Sequence, residues 1–403
     1  MYDVYKIRED FPIFKNQINN KQFVYLDSAA SAQKPQCVID KIVNIYTNTY
    51  ANVHRGMCDL AEAITTEYEN ARDVIAAFVN AKSTEIVFTR NATESINLVA
   101  SSWGEQNLKE NDEIVISQAE HHANLVPWQI LCEKKGCKLK VVKIADDGSY
   151  LHDEFLKALN DKTKLVAITA MSNVLGTTFP IKDITEHAHK IGAKVLIDAC
   201  QYAVHEQIDV KVIGCDFLVF SGHKLYGPTG IGVLYGKAEI LNSMKPYQTG
   251  GDMVEKVTYQ KTTFAPAPAR FEAGTPAIVQ AIGLSEAVKY VQSIGFENIK
   301  NHENNLIKYM FEATAEIKNF KHIGPTQNKG GVFAFNVGNI HPQDLAYILN
   351  KEGICIRIGH HCAEPLVNTL GYNSVARASF GLYTTKEDID LFIKAVNKSL
   401  KFF

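Results

Sequence analysis

Lys224 ends the segment Ser221-Gly222-His223-Lys224, which follows the apolar run Phe217-Leu218-Val219-Phe220 and leads into the turn Leu225-Tyr226-Gly227-Pro228-Thr229-Gly230. An apolar strand that delivers a lysine to a glycine-rich turn brings backbone and amine close to any ligand there. Lysine forms Schiff bases with carbonyl cofactors, and a desolvated lysine needs such a use or a partner. Asp198 ends a second apolar run, Lys194-Val195-Leu196-Ile197-Asp198, with Gln201 just beyond. A lysine and an aspartate at neighbouring strand ends are the two protein groups that pyridoxal phosphate requires, one for its aldehyde and one for its ring nitrogen. The plainer alternatives are a surface lysine, an aspartate capping the next helix and a solvated glutamine.

The anionic end of such a cofactor needs backbone N–H groups at a helix start, with hydroxyls nearby. The run Ile86–Thr89, then Arg90-Asn91-Ala92-Thr93 and the helical pattern from Ile96, offers that start. Ala92 supplies a backbone donor, Thr93 a hydroxyl or a helix cap, and Ser221 and His223 further donors. Glu120-His121-His122-Ala123-Asn124 follows another strand, and one imidazole of that pair could stack on a ring and move protons near neutral pH. Arg357-Ile358-Gly359-His360-His361-Cys362-Ala363-Glu364 places a thiol in an electropositive, glycine-containing loop of the kind that activates thiolates. Zinc is the competing explanation for Cys and His together, but adjacent ligands on so short a span fit a tetrahedral site poorly. Arg357 and Arg377 are candidates to clamp a carboxylate through a bidentate fork, with a structural arginine as the alternative for either.

These groups need a scaffold with many strand ends on one side. Apolar, β-branched runs occur at 86–89, 113–117, 139–144, 165–170, 194–199, 217–222 and 230–236, and helical patterns such as Leu60, Ile64, Tyr68, Ala71, Ile75 and Phe78 lie between several of them. That alternation predicts an α/β fold with a mostly parallel seven-stranded sheet, whose ligands bind beyond the carboxyl ends of the strands. Residues 245–276 hold four of the twelve prolines and read as an extended excursion. A helical region from 277 to 314, a strand at 331–337, a helix at 342–352, a strand at 354–358 and a last helix opened by a Thr384–Glu387 capping box predict a smaller α+β domain. The expected division is a large domain over 25–290 and a small one over 1–24 and 291–403, carrying the cysteine loop.

Composition narrows the class. The net charge of −2 gives no reason to expect a nucleic-acid or membrane-surface partner. The first ten residues lack an apolar signal core and no apolar run is long enough to span a bilayer, so the expected address is cytoplasmic. Eight cysteines without a CxxC spacing argue against a disulfide framework or a zinc module.

Taken in order, Leu26-Asp27-Ser28-Ala29-Ala30, Tyr50–Gly56, Glu120–Asn124, Ser172-Asn173-Val174-Leu175-Gly176, Ser221–Lys224, Arg270–Pro276 and Gly359–Ala363 resemble the SufS-type (group II) cysteine desulfurases, a class V aminotransferase branch of the fold-type I pyridoxal-phosphate enzymes. The resemblance runs from about residue 11 to the C-terminus. It implies a homodimer with Lys224 as the Schiff-base lysine, Asp198 on the pyridine nitrogen, Gln201 on the ring oxygen and His121 stacked on the ring and shuttling a proton. It assigns the phosphate to the Ala92–Thr93 turn, Ser221 and His223, with Thr275 reaching over from the other subunit. Asn173 and Arg377 would hold the substrate carboxylate, with Arg357 nearby. The implied reaction converts L-cysteine to L-alanine and leaves a persulfide on Cys362, for a SufE- or SufU-like acceptor in iron–sulfur cluster assembly. Ala92, Cys200 and Ile358 depart from the expected pattern without touching the Lys–Asp–His–Cys set. A selenocysteine lyase or another class V enzyme is the nearest rival, and a Cys/His metal or cluster scaffold the rival from a different class.

Overall fold

Strands that are apolar on both faces must be covered on both faces, and Phe217–Ser221 and Gly232–Gly236 are buried at every residue. The computed structural model describes residues 2–402, so Met1 and Phe403, the outer ends of the expected small-domain segments, lie outside the described residues. Seven strands form the main sheet: β1 (Ile86–Thr89), β2 (Glu113–Ser117), β3 (Lys138–Val142), β4 (Thr163–Thr169), β5 (Lys194–Asp198), β6 (Phe217–Ser221) and β7 (Gly232–Gly236). Their order is β1-β7-β6-β5-β4-β2-β3, with β7 antiparallel to both its neighbours and the others running one way. Six carboxyl ends therefore meet at one edge, and Gly232 joins them there by pairing with Thr89 and Ser221.

Helices cover the two faces. In α1 (Asp59–Phe78) the residues Ile64, Tyr68, Ala71, Ile75 and Phe78 are buried, one apolar stripe at spacings of three and four. It packs against α2 (Ile278–Ile294), which is buried along most of its length. The single helical region expected over 277–314 is in fact two helices, because Gly295 adopts φ 85 and turns the chain before α3 (Phe296–Ala315).

The second sheet consists of β8 (Phe320–Ile323), β9 (Val332–Val337), β10 (Arg357–Gly359) and β11 (Val375–Ser379), in the order β8-β9-β11-β10. The strand expected at 354–358 divides: Ile354–Cys355 pairs in parallel with Val24–Tyr25, and β10 pairs antiparallel with β11. The last helix, Lys386–Ser399, begins one residue later than its expected cap. Thr385 and Asp388 exchange the capping bonds at 3.2 and 3.0 Å, while the Thr384 hydroxyl accepts from the Gly381 N–H instead. Arg8 and Tyr5 tie the N-terminal segment to this helix through Asp388 and Glu387, each at 2.7 Å. Within 245–276 the chain forms a hairpin, Val254–Val257 with Thr262–Phe264, and a short 3-10 turn at Ala269–Phe271. No helix among the described residues is long and apolar enough to cross a membrane.

Candidate active site

A cavity of about 240 Å³ opens where the carboxyl ends of the main sheet face β10, β11 and the cysteine loop. Lys224, Asp198, Gln201, His121, Ala92, Thr93, Ser221, His223, Asn173, Arg357, Arg377 and Cys362 all line it, so twelve of the thirteen residues singled out in the sequence are brought together. The exception is Thr275, which is exposed and does not line the cavity of its own chain.

At one end the chain leaves β1 and enters the helix Ala92–Val99. Asn91, not Thr93, is its cap, with Oδ1 accepting the Glu94 N–H at 2.9 Å. The Thr93 hydroxyl is thereby left free to face the cavity. The Ala92 N–H donates to Ser221 Oγ at 2.9 Å, which fastens the helix start to the end of β6. A Cβ on Gly232 would lie 2.4 Å from Asn91 Cα, so only glycine lets β7 approach this turn. Burial, then the charges of Lys224 and Lys34, push the His223 imidazole down to about 4, so it is neutral and free to donate or accept. N–H groups at a helix start, two hydroxyls and an imidazole are a donor set for a phosphate.

In the middle, Asp198 ends β5 and is buried, with Oδ1 accepting the Cys200 N–H at 2.9 Å. Gln201 is held by its donation to the Ala29 carbonyl at 2.8 Å. His121 accepts the Ala123 N–H on Nδ1 at 3.0 Å, which leaves its proton on Nε2. Burial, then the charge of Lys224, lowers its pKa to about 4. Glu120 was not singled out in the sequence, yet it anchors this turn. It accepts from Thr169 N at 3.0 Å, Ser117 Oγ at 2.5 Å and Asn124 Nδ2 at 2.7 Å, and burial raises its pKa to about 7. Lys224 Nζ makes no hydrogen bond or ion pair among the described residues, although it lines the cavity.

At the far end Arg377, in the centre of β11, is 2% exposed and lies opposite Arg357 of β10. Its Nη1 donates to the Asn173 carbonyl at 2.8 Å, and Asn173 Nδ2 donates to the His361 carbonyl at 2.7 Å. Arg377 Nε and His361 Nδ1 are buried without a partner. His361 and Cys362 both take left-handed backbone, φ 52 and 55, which lifts the thiol into an exposed position. His122 holds that turn: its N–H donates to the Cys362 carbonyl at 2.7 Å and its Nε2 accepts the Glu364 N–H at 3.1 Å. No role for His122 is legible in the sequence, where adjacency to His121 is the only available signal. Cys362 also borders a second, mostly apolar cavity of about 400 Å³ lined by Val126, Ile130 and Leu131.

The residues present fit pyridoxal 5′-phosphate. An unpaired lysine, a buried carboxylate, a phosphate donor set and an orphaned guanidinium N–H converge on one cavity. Among the described residues no three His, Cys, Asp or Glu side chains gather to hold a metal ion.

Comparison with known proteins agrees with this geometry. The aminotransferase class-V family model matches residues 24–392. A cysteine desulfurase of Synechococcus elongatus is 46% identical over 398 residues, covering 98% of this chain and 64% of that protein, so the chain spans under two thirds of that relative. A cysteine desulfurase of Salmonella agona is 46% identical over 399 residues, 98% of each chain. The crystal structure of the cysteine desulfurase CsdA (S-sulfonic acid) from Escherichia coli matches with a TM-score of 0.93 and 36% identity, covering 100% of both chains.

Proposed function

Because the chain belongs to the aminotransferase class-V family, we propose that it is a pyridoxal 5′-phosphate-dependent cysteine desulfurase, which takes the sulfur of L-cysteine onto Cys362 and releases L-alanine. The observation that carries this reading is the convergence of Lys224, Asp198, Arg377 and Cys362 on one cavity. When bound, the cofactor supplies an electron sink for the bonds at the substrate Cα.

The Ala92–Thr93 turn, Ser221 and His223 would hold its phosphate. Asp198 would keep a proton on its ring nitrogen, Gln201 would face its ring oxygen and His121 would pack on its face. Lys224 Nζ would hold the cofactor through its aldehyde and, with the substrate in place, would take the Cα proton. Arg377 and Asn173 hold the substrate carboxylate, with Arg357 at the cavity wall. Cys362 Sγ then attacks the substrate sulfur. An S–S bond forms as the Cβ–S bond breaks, its electron pair stays with carbon, Cβ takes a proton and Cα regains the one it lost. His121 Nε2, whose proton is held by neutral imidazole, is placed to exchange protons with the leaving product.

The short loop that carries Cys362 supports assignment to the SufS-type subgroup, and the exposed thiol suits delivery to an acceptor of the SufE or SufU kind for iron–sulfur cluster assembly. The exposed Thr275 suits a homodimer in which it completes the partner's phosphate site, and the cytoplasm is the proposed location. The test is peptide-mapped mass spectrometry after brief exposure to L-cysteine without reductant. One added sulfur atom on the Cys362 peptide is expected, with none in Cys362→Ser and none in Lys224→Ala. A Cys362→Ser enzyme that releases sulfide from L-cysteine at the wild-type rate refutes the assignment.

A further inference from the structure

Asp27 has no part in the reaction above, yet its carboxylate lies between the two arginines that face the substrate. Oδ1 accepts from Arg377 Nη2 at 3.0 Å and from Arg357 Nε at 3.2 Å, and Oδ2 pairs with Arg357 Nη2 at 3.1 Å. The aspartate is 14% exposed at its side chain, Arg377 2% and Arg357 50%. Its backbone is equally fixed. The chain at Asp27 bridges in parallel to Ser379, the Asp27 carbonyl accepts the Ala30 N–H at 3.1 Å, and the Ser379 hydroxyl accepts the Ala29 N–H at 2.9 Å.

Two guanidinium groups facing one another across antiparallel strands carry two positive charges, whereas an amino-acid substrate brings a single α-carboxylate. One aspartate between them leaves one net positive charge. The same bridge fixes Arg377, whose Nη1 is held by the Asn173 carbonyl and whose Nη2 is held by Asp27, so the guanidinium plane is set before a ligand arrives. A buried arginine held at both ends loses little freedom when it receives a carboxylate.

We propose that Asp27 is the positioning and specificity residue of the substrate carboxylate site: it aims Arg377 and cancels one of the two guanidinium charges, so that the pocket accepts a monocarboxylate and disfavours a dicarboxylate. The proposal rests on the reading that Arg377 and Arg357 face the substrate carboxylate.

Acetate and malonate test it as competitive inhibitors of L-cysteine turnover by the holoenzyme at fixed ionic strength. In Asp27→Asn, which keeps the side-chain shape, malonate binding should tighten about tenfold relative to acetate, because a second anionic group now meets an uncompensated guanidinium. The KM for L-cysteine should rise with a smaller change in kcat, as befits a group that orients binding. Asp27→Glu should restore the wild-type malonate-to-acetate ratio, a recovery that a merely structural role would not produce. In Arg357→Gln the net charge falls to zero, and both anions should weaken by about tenfold. If acetate fails to compete in the wild type, the arginine reading itself fails. If acetate competes but Asp27→Asn keeps the wild-type ratio, or Arg357→Gln weakens neither anion, the role given to Asp27 is overturned while the arginine reading stands.

Discussion

Replacing Glu272 by alanine tests how the cofactor's phosphate end is held in place. Glu272 accepts from Arg72 Nη1 at 2.6 Å and Nη2 at 2.9 Å, from the Phe88 N–H at 2.7 Å and from the Tyr68 hydroxyl at 3.2 Å. The two side chains are 4% and 8% exposed, so this is a buried bidentate pair on which α1, β1 and the 265–276 loop converge. Removing the carboxylate strands the Arg72 charge, apart from its bond to half-exposed Glu69 at 2.9 Å, and leaves the Phe88 N–H unpaired. Breaking such a pair from one side costs about 3–5 kcal/mol. At about 2.1 cal/mol/K per residue, a 403-residue chain has an unfolding entropy near 0.85 kcal/mol/K, so the melting midpoint should fall by about 4–6 °C. Because β1 leads straight into the Ala92 turn, the variant should also release its cofactor more readily during dialysis. The control is the double variant Arg72→Met, Glu272→Leu, which removes both charges and fills the space; it should recover most of the loss. A single variant that melts within about 1 °C of the wild type, or a double variant less stable than the single, would refute the argument.

Two further expectations follow from the same contacts. Gly232→Ala puts a methyl group against the Asn91 backbone, 2.4 Å from Cα and 2.5 Å from the carbonyl carbon, and backbone cannot swing aside as a side chain can. Overpacking of this kind costs about 1–3 kcal/mol, and cofactor affinity, titrated by visible absorbance, should fall by more than tenfold; wild-type affinity would show that the helix start shifts freely. The pH dependence of stability in the cofactor-free protein is set largely by buried and half-buried histidines. His121, His223 and His322 are lowered to about 4 and His361 to about 3, chiefly by burial, from an ordinary 6.5. The unfolded chain therefore binds protons the folded chain refuses, and stability drops as pH falls from 6.5 toward 4. Glu120 acts with the opposite sign: raised from 4.5 to about 7, it adds stability as pH falls between those values. Near pH 5.5 unfolding should take up a net of about two to three protons, the lower end being favoured by screening at half-buried His223 and His322. A denaturation free energy that is flat or rising as pH falls from 6.5 to 5 contradicts this balance.

The main sheet was legible because most of its strands are near-continuous apolar runs that end in turn residues. All seven lie within two residues of their expected bounds; β4 also takes in Thr163 and Lys164, and β3 stops at Val142. The second sheet was half legible. Val375-Ala376-Arg377-Ala378-Ser379 is fully buried, but small residues around a central arginine carry no strand signature, and Phe320–Ile323 is a four-residue edge. Arg377 was thus found through its chemistry while the strand that holds it was not. Asp27, Glu120 and His122 illustrate the other limit. Each acts on a site residue through a contact set by tertiary structure, and a carboxylate that orients an arginine some 350 residues away has no local pattern to betray it.

The cysteine loop shows why such contacts matter to the chemistry. Two consecutive non-glycine residues, His361 and Cys362, hold positive φ, a conformation that costs of order 1–3 kcal/mol at each position. Three bonds from outside the loop oppose that cost: the His122 N–H to the Cys362 carbonyl, His122 Nε2 to the Glu364 N–H, and Asn173 Nδ2 to the His361 carbonyl. Both His122 and Asn173 belong to segments whose neighbours face the cofactor and substrate positions, so the geometry that displays the thiol depends on the cavity wall being in order. A fourth bond, from His361 Nε2 to the Val375 carbonyl at 3.1 Å, ties the same loop to the strand that carries Arg377. The positions of the Cys362 thiol and the Arg377 guanidinium are therefore consequences of one hydrogen-bonded frame, which is why a thiol on a strained, exposed loop is still held at a defined place beside the cavity.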